Sequence, residues 1–188
     1  MTGPISEQFP RISGILVDIP ALRRLRHDCD PAHCRNRTSC CAQYEVAITE
    51  TELERVIGCL PEVEVWAPEV VMSDVYEEDG KGAILDTDED GLCVLAYRRV
   101  DGSVLCSLHS IALEHGLDPA EVKPQCCCLW PLALSEGHPR TLSVQDDAYT
   151  FPCNRLRPRN AAGLDPGVAA ILRSCFGDSF RKQVEALA

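Results

Sequence analysis

The chain has 188 residues, enough for one domain or two small ones with a core that needs no covalent staple. Its formal charge of −11, from 18 Lys and Arg against 29 Asp and Glu, repels phosphate backbones, and no segment gathers enough basic residues to reverse that field, so nucleic acid is excluded as a partner. Hydrophobic residues at 45% and charged residues at 25% are those of a globular protein, while aromatics at 5% leave the core to Val, Leu, Ile and Ala.

Residues 1–20 are expected to form an extended N-terminal arm, with an apolar stretch from Ile12 to Ile19 that can add a strand. The start lacks the basic segment and the apolar stretch of about 7–15 residues that mark a secretory leader. No run approaches the roughly 20 apolar residues of a membrane span, so no membrane partner is expected. The expected location is the cytoplasm, where thiols stay reduced. The densest basic run, Arg23-Arg24-Leu25-Arg26, reads as a solvated helix face, with a guanidinium able to offset thiolate charge nearby. The segment that follows, with Cys29, Cys34, Cys40 and Cys41 among Asp, Pro, Asn and Ser, has the composition of loops that a metal can order.

Ala42 to Ile48 reads as a short strand, and Thr49 with Glu52 is a capping signature for the helix after it. Leu53, Val56, Ile57 and Leu60 make its apolar face, Pro61 is expected to stop it, and Cys59 beside that face reads as an inert, buried thiol. From Glu77 to Gly91 the chain is acidic and reads as a solvated turn. Asp86, Asp88, Asp90 and Gly91 copy the first half of a calcium loop, but Tyr97 stands where its closing Glu belongs. Segments 92–98 and 103–106 flank Asp101-Gly102 as a hairpin, with Cys93 and Cys106 on neighbouring strands; a tight turn would not set them opposite, so a longer loop or a bulge is expected.

A helix from about Ser107 to His115 should end at Gly116, and Asp118-Pro119 should start another short one. Cys126-Cys127-Cys128, held between Pro124 and Pro131, is expected to be irregular or extended. Residues 140–150 read as a strand. Helices over 166–188 should divide at Gly177-Asp178, with Cys175 in the core beside their apolar stripe. The expected fold class is α+β: a single irregular domain over 1–188, of short strands and helices organised around a multi-cysteine metal centre.

Twelve cysteines give the chain its chemistry. Cys29-x4-Cys34 can deliver two thiolates to one tetrahedral ion. Cys40 and Cys41 are adjacent, and neighbouring side chains in extended backbone point apart, so the pair suggests two metals or a polynuclear cluster. Soft thiolates suit zinc, iron and copper(I); Cys34-x5-Cys40 fits neither ferredoxin spacing, although an iron–sulfur cluster of other spacing stays open. His27 and His33 sit near these thiols but read as exposed loop residues. No phosphate-binding glycine loop or Gly-x-Ser-x-Gly is present, so a conventional hydrolase or kinase is unsupported.

Taken together, Cys29-Asp30-Pro31-Ala32-His33-Cys34, then Cys40-Cys41, Cys93-Val94-Leu95, Cys106 and Lys123-Pro124-Gln125-Cys126-Cys127-Cys128-Leu129-Trp130-Pro131, resemble the YkgJ-type cysteine-cluster family of zinc- or iron-chelating proteins. The likeness is to the branch with C-x4-C, a Cys pair, and a K-P-x-x-C-x-x-x-P stretch. It implies a metal centre on Cys29, Cys34, Cys40, Cys41, Cys93, Cys106, Cys127 and Cys153, with Cys126 and Cys128 as extras and with no agreed activity. Zinc or iron is the implied cofactor. A metal- or cluster-dependent redox or group-transfer enzyme using the spare thiols is the alternative, and a disulfide or thiol-switch protein without metal is a third. The acidic surface suits basic protein partners without selecting one.

Overall fold

The computed structural model describes residues 9–35, 38–42, 44–68, 70, 75–78, 80 and 82–188; the first eight residues of the arm expected over 1–20 lie outside them, and the rest of it folds into two short strands and the start of a helix. Ser13 and Gly14, with φ of 49° and 86°, form the turn that folds Arg11–Ile12 (β1) onto Ile15–Val17 (β2). Asp18 caps Ile19–Arg24 (α1) by accepting from the Ala21 amide, and Leu25–His27 (β3) follows. After the cysteine-bearing loops come Val46–Ile48 (β4), Glu50–Trp66 (α2), Tyr76–Glu78 (β5), Ala83–Leu85 (β6), Ala96–Arg98 (β7) and Val104–Cys106 (β8). Ser107–Glu114 (α3), Pro119–Val122 (α4), Gln125–Leu129 (α5), Leu132–Leu134 (β9), Thr141–Val144 (β10), Asn154–Leu156 (β11) and Pro166–Glu185 (α6) complete the chain. The mixture is α+β.

Two compact units share these elements. One combines the chain up to Cys29 with Leu129–Ala188; the other is Asp30–Cys128. In the first, the sheet runs β1-β2-β10-β9, with β2 and β10 parallel, and β3 pairs with β11. Its core holds Val17, Leu22, Leu25, Leu142, Leu172 and Val184, with α6 supplying the last two. Each such side chain contributes roughly 1.5–3 kcal/mol when fully buried. The C-terminal helical segment breaks at Gly177 (φ 84°, ψ 166°), as its Gly-Asp pair suggested, because only glycine adopts that backbone without strain.

In the second unit the sheet order is β4-β6-β5, β7 and β8 form a separate hairpin, and α2 and α3 enclose a core of Val56, Leu60, Val63, Leu95, Leu108 and Ile111. The Thr49 capping box is formed in full. Pro61, however, does not stop α2, which continues to Trp66. Val63 is fully buried one turn beyond Leu60 and Ala67 is buried at the C-cap, so burial of the continuing stripe outweighs the hydrogen bond that proline forfeits. The acidic stretch expected as a turn contains the β5–β6 hairpin. The hairpin around Asp101-Gly102 has the longer loop, with Arg98 opposite Val104 and Gly102 at φ 79°.

The cysteine triplet is also a correction, since it forms the helical turn α5. The two prolines restrict only the ends: Pro124 stands just ahead of the first turn, where a missing amide costs nothing, and Pro131 lies past the last residue. No helix among the described residues is long and apolar enough to cross a membrane.

Candidate metal centre

Four separate segments of the second unit bring their thiols together. Cys40 and Cys41 sit on a short 3-10 turn, Cys40–Ala42. The Cys93 amide donates to the Cys41 carbonyl at 2.8 Å, which seats the start of the β7 segment against that turn. Cys106 ends β8 and stands at the N-cap of α3, where Ser107 holds the register by donating its amide and hydroxyl to the Leu95 carbonyl at 2.9 and 2.6 Å. Cys34 is tied to the same hairpin through its carbonyl, which accepts from the Val104 amide at 2.8 Å. Cys127 arrives on α5, whose first amide, that of Gln125, donates to Glu52 Oε1 at 2.7 Å. Cys41, Cys106 and Cys127 are partly buried and pack on the apolar core together with buried Cys93.

The titrations of these groups are coupled through burial and through one another's charge. Burial and the neighbouring thiols Cys41 and Cys106 push the Cys93 thiol up. Burial also raises Cys106, against the pull of Lys123, while Cys41 is held well up first by its hydrogen bond with Cys40 and then by burial. Cys127 is raised first by its hydrogen bond with Cys126 and then by burial. Cys128, whose thiol donates to the Pro119 carbonyl at 3.6 Å, is pushed up to about 11, chiefly by burial.

Cys126 goes the other way. It is exposed, and the hydrogen bond from Cys127 lowers its pKa. Lys123 is the cation among these groups: burial pulls its pKa down, but Cys106, Cys127, Cys128 and Cys41 outweigh that and hold the ammonium charged. Thiols must lose their protons to bind a metal, so a centre here would release protons as it loads.

Cys29 and Cys153 belong to the other unit. There the Asp28 amide donates to the Cys153 carbonyl at 2.9 Å, and the Cys153 thiol, raised by burial and by Cys29, also has a hydrogen bond with Trp130. His27 is engaged by Asn154 Oδ1 at 2.7 Å, and burial lowers its pKa. His33 is exposed and lies 3.6 Å from the Asp30 carboxylate. Cys59 and Cys175 pack partly buried on the two cores, in line with their reading as core thiols. In the acidic turn, Asp88 Oδ1 accepts from the amides of Asp90 and Leu92 at 2.9 Å, and Arg98 bridges Asp88 and Asp90. Those carboxylates are engaged by the protein itself.

None of the twelve cysteines forms a disulfide. Among the described residues, no group of three or more His, Cys, Asp and Glu side chains stands in an arrangement that holds a metal ion. Thiolates are soft donors, and several half-buried thiols of this unit pack on one core with the Lys123 ammonium among them. Ligation would require the thiols to turn toward a common point. Sequence reasoning missed Lys123 and Glu52 as parts of this site. Glu52 was legible as a cap, but its second oxygen reaches α5 through tertiary structure. Comparison of the chain with family models, with curated proteins and with solved structures gives no match.

Proposed function

We propose that the chain is a cytoplasmic metal-binding protein that holds zinc or iron, an iron–sulfur cluster included, through cysteine thiolates, as in the cysteine-cluster family its motifs resemble. The observation that carries this reading is the approach of Cys41, Cys93, Cys106 and Cys127 to one another from four segments. Those four thiolates would be the principal ligands, with Cys40 and Cys126 beside them and Cys34 as the further member of the set within that unit. A bound zinc ion supplies folding free energy, and iron adds redox chemistry. Lys123 would offset part of the excess thiolate charge, and α5 would hold Cys127 in place. Cysteines engaged in no disulfide accord with a reducing compartment.

The test is elemental analysis and a visible absorption spectrum of anaerobically purified full-length chain. About one equivalent or more of zinc or iron is expected, reduced by Cys93→Ser and by Cys127→Ser and unchanged by Cys59→Ser. Less than about one equivalent of any transition metal, together with normal folding in chelator, overturns the proposal.

A second reading, a redox or group-transfer enzyme, is favoured by one observation: Cys126 is exposed and carries a lowered pKa beside Cys127. Unchanged thiol reactivity after replacing both Cys126 and Cys128 with Ser removes it.

A further inference from the structure

The basic run that the sequence suggested as a solvated face has a more specific setting. Arg23 and Arg24 close α1, and with Arg159 they line a cleft of about 550 Å³ whose apolar walls include Ile19, Pro20 and Leu187. That volume suits a small ligand, for which pockets run to roughly 300–1,000 Å³. Among the described residues no Asp or Glu lines the cleft, in a chain where 29 acidic residues outnumber 18 basic ones. The ion pairs among the described residues involve none of the three arginines.

The guanidiniums differ in how they are held. Arg23 is fixed in place, donating Nε and Nη2 to the Ala161 carbonyl at 3.2 and 2.7 Å. Arg24 Nε is buried and has no hydrogen-bond partner among the described residues, so it has lost its water without gaining an acceptor. Arg159 is exposed at the rim. Three arginines on one cleft, with no Asp or Glu among its described lining residues, favour an acceptor that carries negative charge.

We infer that this cleft binds a small amphiphilic anion: a carboxylate or phosphate held by Arg24 and Arg159, carried on a short aliphatic body that lies against Ile19, Pro20 and Leu187. Arginine suits either head group because its planar fork donates two parallel hydrogen bonds. The inference does not rest on the metal reading.

The test is calorimetric titration of the full chain with hexyl phosphate and with hexanoate, using hexanol as the uncharged control. Saturable binding of at least one anion with Kd below about 1 mM is expected, with hexanol far weaker. Arg159→Gln, at an exposed position that the fold tolerates, should weaken binding about tenfold, whereas Arg26→Gln, in the same basic run but outside the cleft, should leave it unchanged. Three results would overturn the inference. They are no saturation of either anion by about 10 mM, equal losses in the two variants, and binding to anionic phospholipid vesicles without binding to soluble hexyl phosphate.

Discussion

Replacing Glu52 with Ala tests the link between the helix cap and the cysteine turn. Glu52 Oε2 accepts from the Thr49 amide and hydroxyl at 2.9 and 2.8 Å, closing the capping box of α2. Its other oxygen accepts from the Gln125 amide at 2.7 Å, the first amide of α5. Loss of a capping contact costs about 0.5–2 kcal/mol. Loss of a charge-assisted bond to a backbone amide adds about 1.5–3 kcal/mol. Because these bonds lie near the surface, the lower part of the sum applies, and Glu52→Ala should destabilise the protein by about 2–3 kcal/mol.

Thr49→Ala removes the cap alone and should cost only about 0.5–2 kcal/mol. Burial would raise the pKa of Glu52, but the bonds from Gln125 and Thr49 and the Arg55 charge together lower it below 4.5. Its contribution is therefore complete above the unfolded value and is lost as pH falls through the lower folded value. Urea unfolding gives the energies, and the alkylation rate of Cys126 reports whether α5 has loosened. If Glu52→Ala costs no more than Thr49→Ala and alkylation is unchanged, the proposed tie between α2 and the cysteine turn is wrong.

Other perturbations bear on the frame. Pro61→Ala should stabilise the protein by about 1–3 kcal/mol, because alanine restores an amide to the interior of α2 at an exposed position; a fall in melting temperature would contradict that. Gly82→Ala should destabilise by about 2–4 kcal/mol, since its Cβ would clash with the Ile48 carbonyl oxygen, and thermal unfolding beside the unhindered Gly58→Ala distinguishes a clash from mere loss of glycine. His115 Nε2 lies 2.6 Å from Glu62 Oε2, and that hydrogen bond raises the histidine pKa. The contact's contribution is thus present below the unfolded value of 6.5 and is lost as pH rises through the folded one. An NMR titration should show the His115 pKa fall in Glu62→Gln, and an unmoved value would refute the pairing.

Local chemistry was legible wherever a signal was carried by residues a few positions apart. Thr49 and Glu52 announced the start of α2, Gly116 marked the end of α3, Asp118-Pro119 opened α4, and Gly177 divided α6. Signals failed where distant packing overrode them. Pro61 reads as a stop, yet burial of Val63 carries the helix past it. The triplet between two prolines reads as irregular, yet a carboxylate from α2 supplies the acceptor its first amide needs. Three-residue strands such as β9 and β11 are too short for alternation to reveal; they exist because β10 and β3 pair with them.

The sequence by itself determined the kind of chemistry open to this protein: many thiols, an acidic surface and a cysteine pattern suited to a soft metal, because these depend on residue type and near spacing alone. Tertiary structure alone decided which thiols keep company. It placed Cys41, Cys93, Cys106 and Cys127 within one unit around Lys123, put Cys29 and Cys153 in the other, and set Arg24 and Arg159 on one cleft. Such groupings join residues as far as 86 positions apart among those thiols and more than a hundred on the cleft. They arise from which apolar faces bury one another and which backbone amides find carbonyls, and no local spacing encodes either.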